Sequence, residues 1–132
     1  MIGHHSHTAH GVDLSGHCPV FFSLGNGSFG TRGRFERKGS PPYGLLAKIE
    51  IDGPRSISGI EIRLLYVDNR KLDYRPIPAS GDAAREFAWS LVSREQGWRE
   101  VKPGVLRAGR TRSAPSPTPY RVSRKGRACP RN

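Results

Sequence analysis

Two alternating runs joined by a tight turn constrain this chain more than any other feature. In Tyr43–Asp52, Leu45, Ala47, Ile49 and Ile51 alternate with Leu46, Lys48, Glu50 and Asp52. In Ile57–Val67, Ile60, Ile62, Leu64 and Tyr66 alternate with Glu61, Arg63 and Leu65. Successive residues of a strand face opposite sides of a sheet, so a period of two sets an apolar row against a core and a polar row toward solvent. Gly53-Pro54 between the runs is turn chemistry, and so short a connection predicts an antiparallel pair.

The flanking segments extend this frame. Upstream, His10–Leu14 and Cys18–Ser23 read as two short strands around a Ser15-Gly16 turn, with His17 solvated in that turn; Val20, Phe21 and Phe22 supply the strand propensity. Residues 25–42 are rich in Gly, Ser and Arg and read as a long loop. Downstream, Asp68-Asn69 signals a turn, and Leu72–Ile77 reads as a last short strand, at an edge because of Pro76 and Pro78. Ser80 is the expected N-cap of a helix over 81–96, with Asp82 in its first turn and Ala84, Phe87, Ala88 and Leu91 on one face. Gly97 ends it in a left-handed conformation. Trp89 is expected to pack beneath the sheet, and Trp98 sits at the helix end.

Charge divides the chain in two. Its 132 residues allow one small domain, and the net charge is +11. Residues 1–98 hold 12 Lys+Arg and 10 Asp+Glu, whereas residues 99–132 hold 10 Lys+Arg and only Glu100. The head is therefore nearly neutral and the tail strongly basic. Prolines, arginines and little apolar periodicity predict a disordered tail over 99–132, because such a segment buries too little surface to offset ~1–2 kcal/mol per residue of ordering entropy. The two cysteines, Cys18 and Cys129, fit no metal or redox spacing. No apolar run approaches the ~20 residues a membrane helix needs, and the histidine-rich N-terminus is unlike a signal peptide.

That N-terminus holds the one constellation with chemistry in it. Gly3-His4-His5-Ser6-His7 places imidazoles two residues apart after an apolar residue and a glycine, and neutral imidazole is a common ligand for zinc, manganese and iron. The plainer reading is an exposed polar terminus that binds nothing specific. Ser23 and Asn26 suit a turn, and near a strand end both could also face a cleft. Arg32, Arg34, Arg37 and Lys38 are either a solvated loop or a contact for an anionic polymer.

The stretch Ile2 to His7, a short hairpin over Val12–Pro19, and Phe22-Ser23-Leu24-Gly25-Asn26 together resemble the CapA family. That family pairs Ile-Gly-His-His-Pro-His with an aromatic-Ser-Leu-Gly-Asn motif. The resemblance covers residues 1–97. It implies an α/β fold, the C-terminal part of a metallophosphoesterase-like αββα β-sandwich, with mostly antiparallel strands plus one helix over residues 1–98. It leaves the basic tail 99–132, read as disordered from its composition, unexplained. It also implies poly-γ-glutamate capsule synthesis and a calcineurin-like two-metal centre of Mn, Zn or Fe. The motif's end aligns with His5 and His7 as ligands, and counting from Gly3 brings in His4. Beside these, Asn26, Arg32 and Arg34 are the candidate substrate contacts read from the residues themselves.

Departures from the pattern bear on activity. Ser6 stands where proline is usual, His10 where glutamine is frequent, and Gly27 where an aromatic is usual. The superfamily's early aspartates, its Asn-His pair and a further histidine belong ahead of this motif, and the motif here begins at Ile2. The expectation is a truncated or mis-started CapA-like protein whose metal site is incomplete and which is inactive alone. Its partners would be polyglutamate or a phosphate ester, together with the missing N-terminal half-domain, at the cell envelope where family members are often found. The alternative is a small basic nucleic-acid-binding or polyanion-binding protein, with the tail as the nucleic-acid contact.

Overall fold

The computed structural model describes residues 1–16, 18–28, 35–36, 39–54 and 56–109. The two alternating runs form the long strands β3 (Tyr43–Gly53) and β4 (Ser56–Tyr66), paired antiparallel with Leu45 opposite Leu64, Ala47 opposite Ile62 and Ile49 opposite Ile60. Ahead of them lie β1 (Val12–Asp13) and β2 (Val20–Phe21), an antiparallel pair at the expected hairpin. After them come a short helix α1 (Asn69–Leu72), β5 (Ile77–Pro78), helix α2 (Asp82–Ser90), a single 3-10 turn (Arg94–Gln96), β6 (Trp98–Lys102) and β7 (Val105–Ala108). The described residues are therefore mostly antiparallel sheet with few helices. The larger sheet runs β3-β4-β7-β6, with β5 also on β4, and β1-β2 forms the smaller one.

One face of the larger sheet is the core. Ile60 sits opposite Ala108, Ile62 opposite Leu106, and Trp98 opposite Ala108, so the apolar row begun by β3 and β4 continues across β7 and β6. Ala9, Val12 and Phe21 from the small sheet and Ala84, Ala88 and Leu91 from around α2 close over that row. The two layers and the helix thus share a single buried cluster, the usual way a sheet hides its apolar face.

The opposite face is charged. Lys48, Glu61, Arg107 and Arg99 lie in register across the four strands. Glu50 hydrogen-bonds Lys48 at 2.9 Å and reaches over β4 to pair with Arg107. Gly59 makes that reach feasible, because a Cβ there would lie 2.6 Å from a Glu50 carboxylate oxygen. The Lys48 hydrogen bond, which outweighs the desolvation opposing it, and then the Arg107 and Lys48 charges hold the Glu50 carboxyl below its ordinary range.

Four expectations are corrected. Over the segment 72–77 only Ile77 is strand: Asp68 caps α1 by accepting from the Arg70 amide at 3.1 Å, and Asp73 and Tyr74 end it in left-handed conformations. A side-chain cap at a turn signal started a helix where strand propensity was read. Helix α2 is capped by Gly81 rather than Ser80 and stops at Ser90, short of residue 96. Its carbonyl at Leu91 turns aside to accept from the Val12 amide at 2.7 Å, so the small sheet takes over the bond that would have prolonged the helix. Gly97 is left-handed as expected, at φ 75°, but it closes the 3-10 turn.

Trp89 is half-buried against the core, as expected, with the Arg94 guanidinium 4.3 Å above its ring, and Trp98, read only as sitting at the helix end, is buried in the core. Finally, residues 99–108 are not a disordered tail but the β6-β7 hairpin, turned at Pro103-Gly104 with Gly104 at φ 71°. A four-residue strand is too short to show periodicity by itself. Its ordering is stabilised by the β4 edge and by burial of Val105, Leu106 and Ala108. The tail expectation for 110–132, and the readings of His17, Arg32, Arg34, Arg37 and Lys38, lie outside the described residues.

Candidate functional site

The histidine segment is held in place by β2. Ile2 bridges Phe21 in parallel, the Gly3 amide donates to the Phe21 carbonyl at 2.8 Å, and the Leu24 amide returns a bond to the Gly3 carbonyl at 3.1 Å. On the other side of β2, Ala9 bridges Leu24 antiparallel, and the His10 amide donates to the Ser23 carbonyl at 3.0 Å. β2 and its extension to Leu24 therefore lie between the two passes of the N-terminal chain. The loop between those passes, His4 to His7, is pinned above them by a bond from the His7 amide to the His4 carbonyl at 3.2 Å. His7 takes a left-handed φ of 60°. Gly3 is needed where it stands, because a Cβ would lie 2.3 Å from the Phe22 carbonyl oxygen.

Within this cradle His7 meets Asn26. The His7 Nδ1 lies 2.9 Å from the Asn26 Oδ1, and for the amide oxygen to accept, Nδ1 must carry the proton. That tautomer puts the imidazole lone pair on Nε2, the atom through which His7 would meet a cation. Asn26 is 2% exposed, and its Nδ2 is buried with no hydrogen-bond partner among the described residues. The small sheet joins the large one at the same place: the Leu45 amide donates to the Leu24 carbonyl at 2.7 Å, and Gly44 lets the Asn26 backbone approach so closely that a Cβ would lie 2.1 Å from its carbonyl oxygen.

The imidazoles brought together are those of His4 and His7, edge to face with centroids 6.3 Å apart. His5, one of the pair aligned by the motif, is exposed on the turn, and His10 binds the Thr8 hydroxyl at 3.0 Å. Two imidazoles on one tetrahedral ion would have centroids about 5 Å apart, given metal–nitrogen bonds of ~2.1 Å. The pair is thus open by roughly 1 Å. No group of three or more His, Cys, Asp or Glu side chains among the described residues is placed to hold a metal. Asp13, the first acidic residue of the chain, is occupied elsewhere. The Ser15 amide, the Ser15 hydroxyl and the Gln96 amide all donate to its carboxylate and hold its pKa below the usual range. These donors do not fit a two-metal centre, which needs bridging carboxylate oxygen.

Two other features escaped the sequence patterns. An open cleft of about 520 Å³ borders Glu36, Tyr66, Asp68, Arg70 and Lys71. Its charges pair with one another, Arg70 with Glu36 at 2.9 Å and Lys71 with Asp68 at 3.8 Å; the Tyr66 hydroxyl, ahead of Asp68, raises the Lys71 pKa. The charged sheet face is the second feature. Arg63 and Arg99 have no ion-pair partner there among the described residues. Alternation in the sequence marked Lys48, Glu61 and Arg63 as outward-facing, whereas Arg99 and Arg107 fell in the segment read as a tail, and only the strand order lines them up.

No protein-family model, no curated protein and no solved structure matches this chain. No helix among the described residues is long and apolar enough to cross a membrane.

Proposed function

We propose that this chain is a CapA-like relative of the metallophosphoesterases, acting in poly-γ-glutamate capsule synthesis, and that on its own it does not hydrolyse phosphate esters. One observation supports this most. The two segments that carry the resemblance, Ile2–His7 and Phe22–Asn26, lie side by side and end in the His7–Asn26 hydrogen bond. In this reading the αββα architecture has the large sheet as one layer, with the small sheet, joined at Leu24–Leu45, on its apolar face. The charged face, with Lys48, Glu61, Arg63 and Arg107, is too polar for the dry interior of a sandwich.

With the Asn26 Oδ1 accepting from His7 Nδ1, His7 Nε2 is the candidate donor, with the His4 imidazole beside it. A divalent Mn, Zn or Fe ion supplies Lewis acidity to a phosphoryl oxygen in the superfamily's chemistry. With imidazole alone as donor here, no hydrolytic step follows from this chain's residues. Titration calorimetry with Mn²⁺ or Zn²⁺, run beside an assay with bis(p-nitrophenyl) phosphate, checks the proposal. The expected result is weak binding of a single ion, lost in the His4→Ala/His7→Ala variant, with no steady turnover. Two tightly bound ions with turnover would overturn the claim of inactivity, and binding indifferent to both histidines would remove the support for the family reading.

A second reading rests on Arg63 and Arg99, which have no ion-pair partner among the described residues, and on the basic sequence of residues 110–132: the chain binds an anionic polymer through the charged sheet face. Affinity for polyglutamate or single-stranded DNA should then fall steeply with salt. The Arg63→Glu/Arg99→Glu variant should bind about tenfold or more weakly at low salt. If deleting 110–132 removes binding while the double variant keeps it, the sheet face is not the contact.

A further inference from the structure

We infer that the free edge of β3 is a homodimer interface, on which a second copy of this chain adds its own β3 antiparallel about a two-fold axis at Ile49. The argument begins with the backbone. The Leu45 amide points away from β4 and donates to Leu24. Residues two apart on a strand present their N–H and C=O to the same side. The register shift between Glu50 and Ile51 places its extra residue, Ser58, on β4 and leaves β3 continuous. Ala47, Ile49 and Ile51 therefore turn theirs to the same outer edge, where no hydrogen bond meets them among the described residues. β3 closes the order β3-β4-β7-β6 at one end, so this stretch is a true sheet edge. Such an edge is a template for another strand unless something blunts it. The side chains along it are apolar on the core side: Ala47 and Ile49 are half-buried, and Ile51 is 71% exposed.

Charge complementarity selects the occupant and the register. With the axis at Ile49, Lys48 of one copy faces Glu50 of the other, and the reverse holds across the axis. Ile49 faces its twin, and Ala47 covers the exposed Ile51. The backbone groups of Ile49 bond reciprocally, as do those of Ala47 and Ile51, since all three point outward. The neighbouring registers fail one by one. An axis at Lys48 or at Glu50 sets like charges face to face. An axis at Ile51 sets Glu50 against Asp52. An axis at Ala47 needs the Leu45 edge, which Leu24 already occupies. Like charges directly opposite on paired strands are destabilising, and opposite charges favour the pair. Within one chain Lys48 and Glu50 already lie 2.9 Å apart, so the four charges around the axis would alternate in sign.

Sedimentation equilibrium of the full chain, up to about 1 mM, reads the outcome directly. The wild type is expected to form a dimer. Lys48→Glu should weaken it by about tenfold or more, because the introduced carboxylate then faces the Glu50 carboxylate of the second copy. Ala47→Pro should abolish it while preserving the fold, since the proton it removes points away from β4. Glu50→Lys should also fail to dimerise alone, yet an equimolar mixture of the Lys48→Glu and Glu50→Lys chains should form a one-to-one heterodimer. A wild type monomeric over the whole range overturns the inference. So does a dimer unmoved by Lys48→Glu and Ala47→Pro with their thermal transitions intact, and so does a mixture that stays monomeric.

Discussion

Gly44→Ala is expected to destabilise the protein by about 2–4 kcal/mol, combining overpacking with loss of a buried hydrogen bond. The new Cβ would sit 2.1 Å from the Asn26 carbonyl oxygen, a backbone atom that cannot swing aside as a side-chain end can. Relief requires the Asn26 segment to lift off β3. That movement strains the Leu45-to-Leu24 bond of 2.7 Å, the direct bond between the N-terminal layer and β3. It also pulls Asn26 from His7. The effect should therefore appear twice, as a lower urea midpoint and as a change in the His7 ring nitrogen shifts by NMR. Gly27→Ala is the control, because a Cβ there meets nothing within 4 Å. If the two variants unfold alike, the close approach of the layers is not what Gly44 serves.

Ending the chain after Gly97 is expected to abolish cooperative unfolding, whereas a chain ending at Gly109 retains it. The shorter chain loses Trp98, Leu106 and Ala108 from the core row and Val105 beside them, all buried. At ~1.5–3 kcal/mol for each large apolar side chain, that burial rivals the ~5–15 kcal/mol net stability of a typical domain. It also bares the β4 edge now paired from Ile60 to Arg63, and removes the Arg107 and Glu100 partners of Glu50 and Arg85. Denaturation followed by circular dichroism and by dye binding to exposed apolar surface would distinguish the two chains. A sharp transition at an unchanged midpoint in the shorter chain would mean that the β6-β7 hairpin is peripheral.

The elements that were legible in the sequence share a physical character. The β3-β4 pair announces itself because each strand has eleven residues, long enough for alternation to repeat, with a turn of its own between them. The β1-β2 hairpin and the left-handed Gly97 were readable for a similar reason: Ser-Gly and Gly act through local backbone geometry, which needs no distant partner. The misread elements depend on contacts from far along the chain. α2 ends early because Val12, about 80 residues upstream, takes the Leu91 carbonyl. β7 exists because β4 offers it an edge.

The site divides in the same way. The cluster of His4, His5 and His7 was visible from residue type and spacing, whereas Asn26 read first as a turn residue. Which imidazoles meet, and that Asn26 meets His7 Nδ1, follow only from β2 passing between the two N-terminal segments.

Local order along the chain was thus enough to determine the alternating faces, the turn positions and the cluster of histidines, because short-range sterics and side-chain periodicity act within a few residues. Tertiary structure alone decided the strand order, the end of α2, the place of Trp98 and the charged row across four strands. Those depend on hydrogen bonds and burial between segments that the chain brings together only on folding.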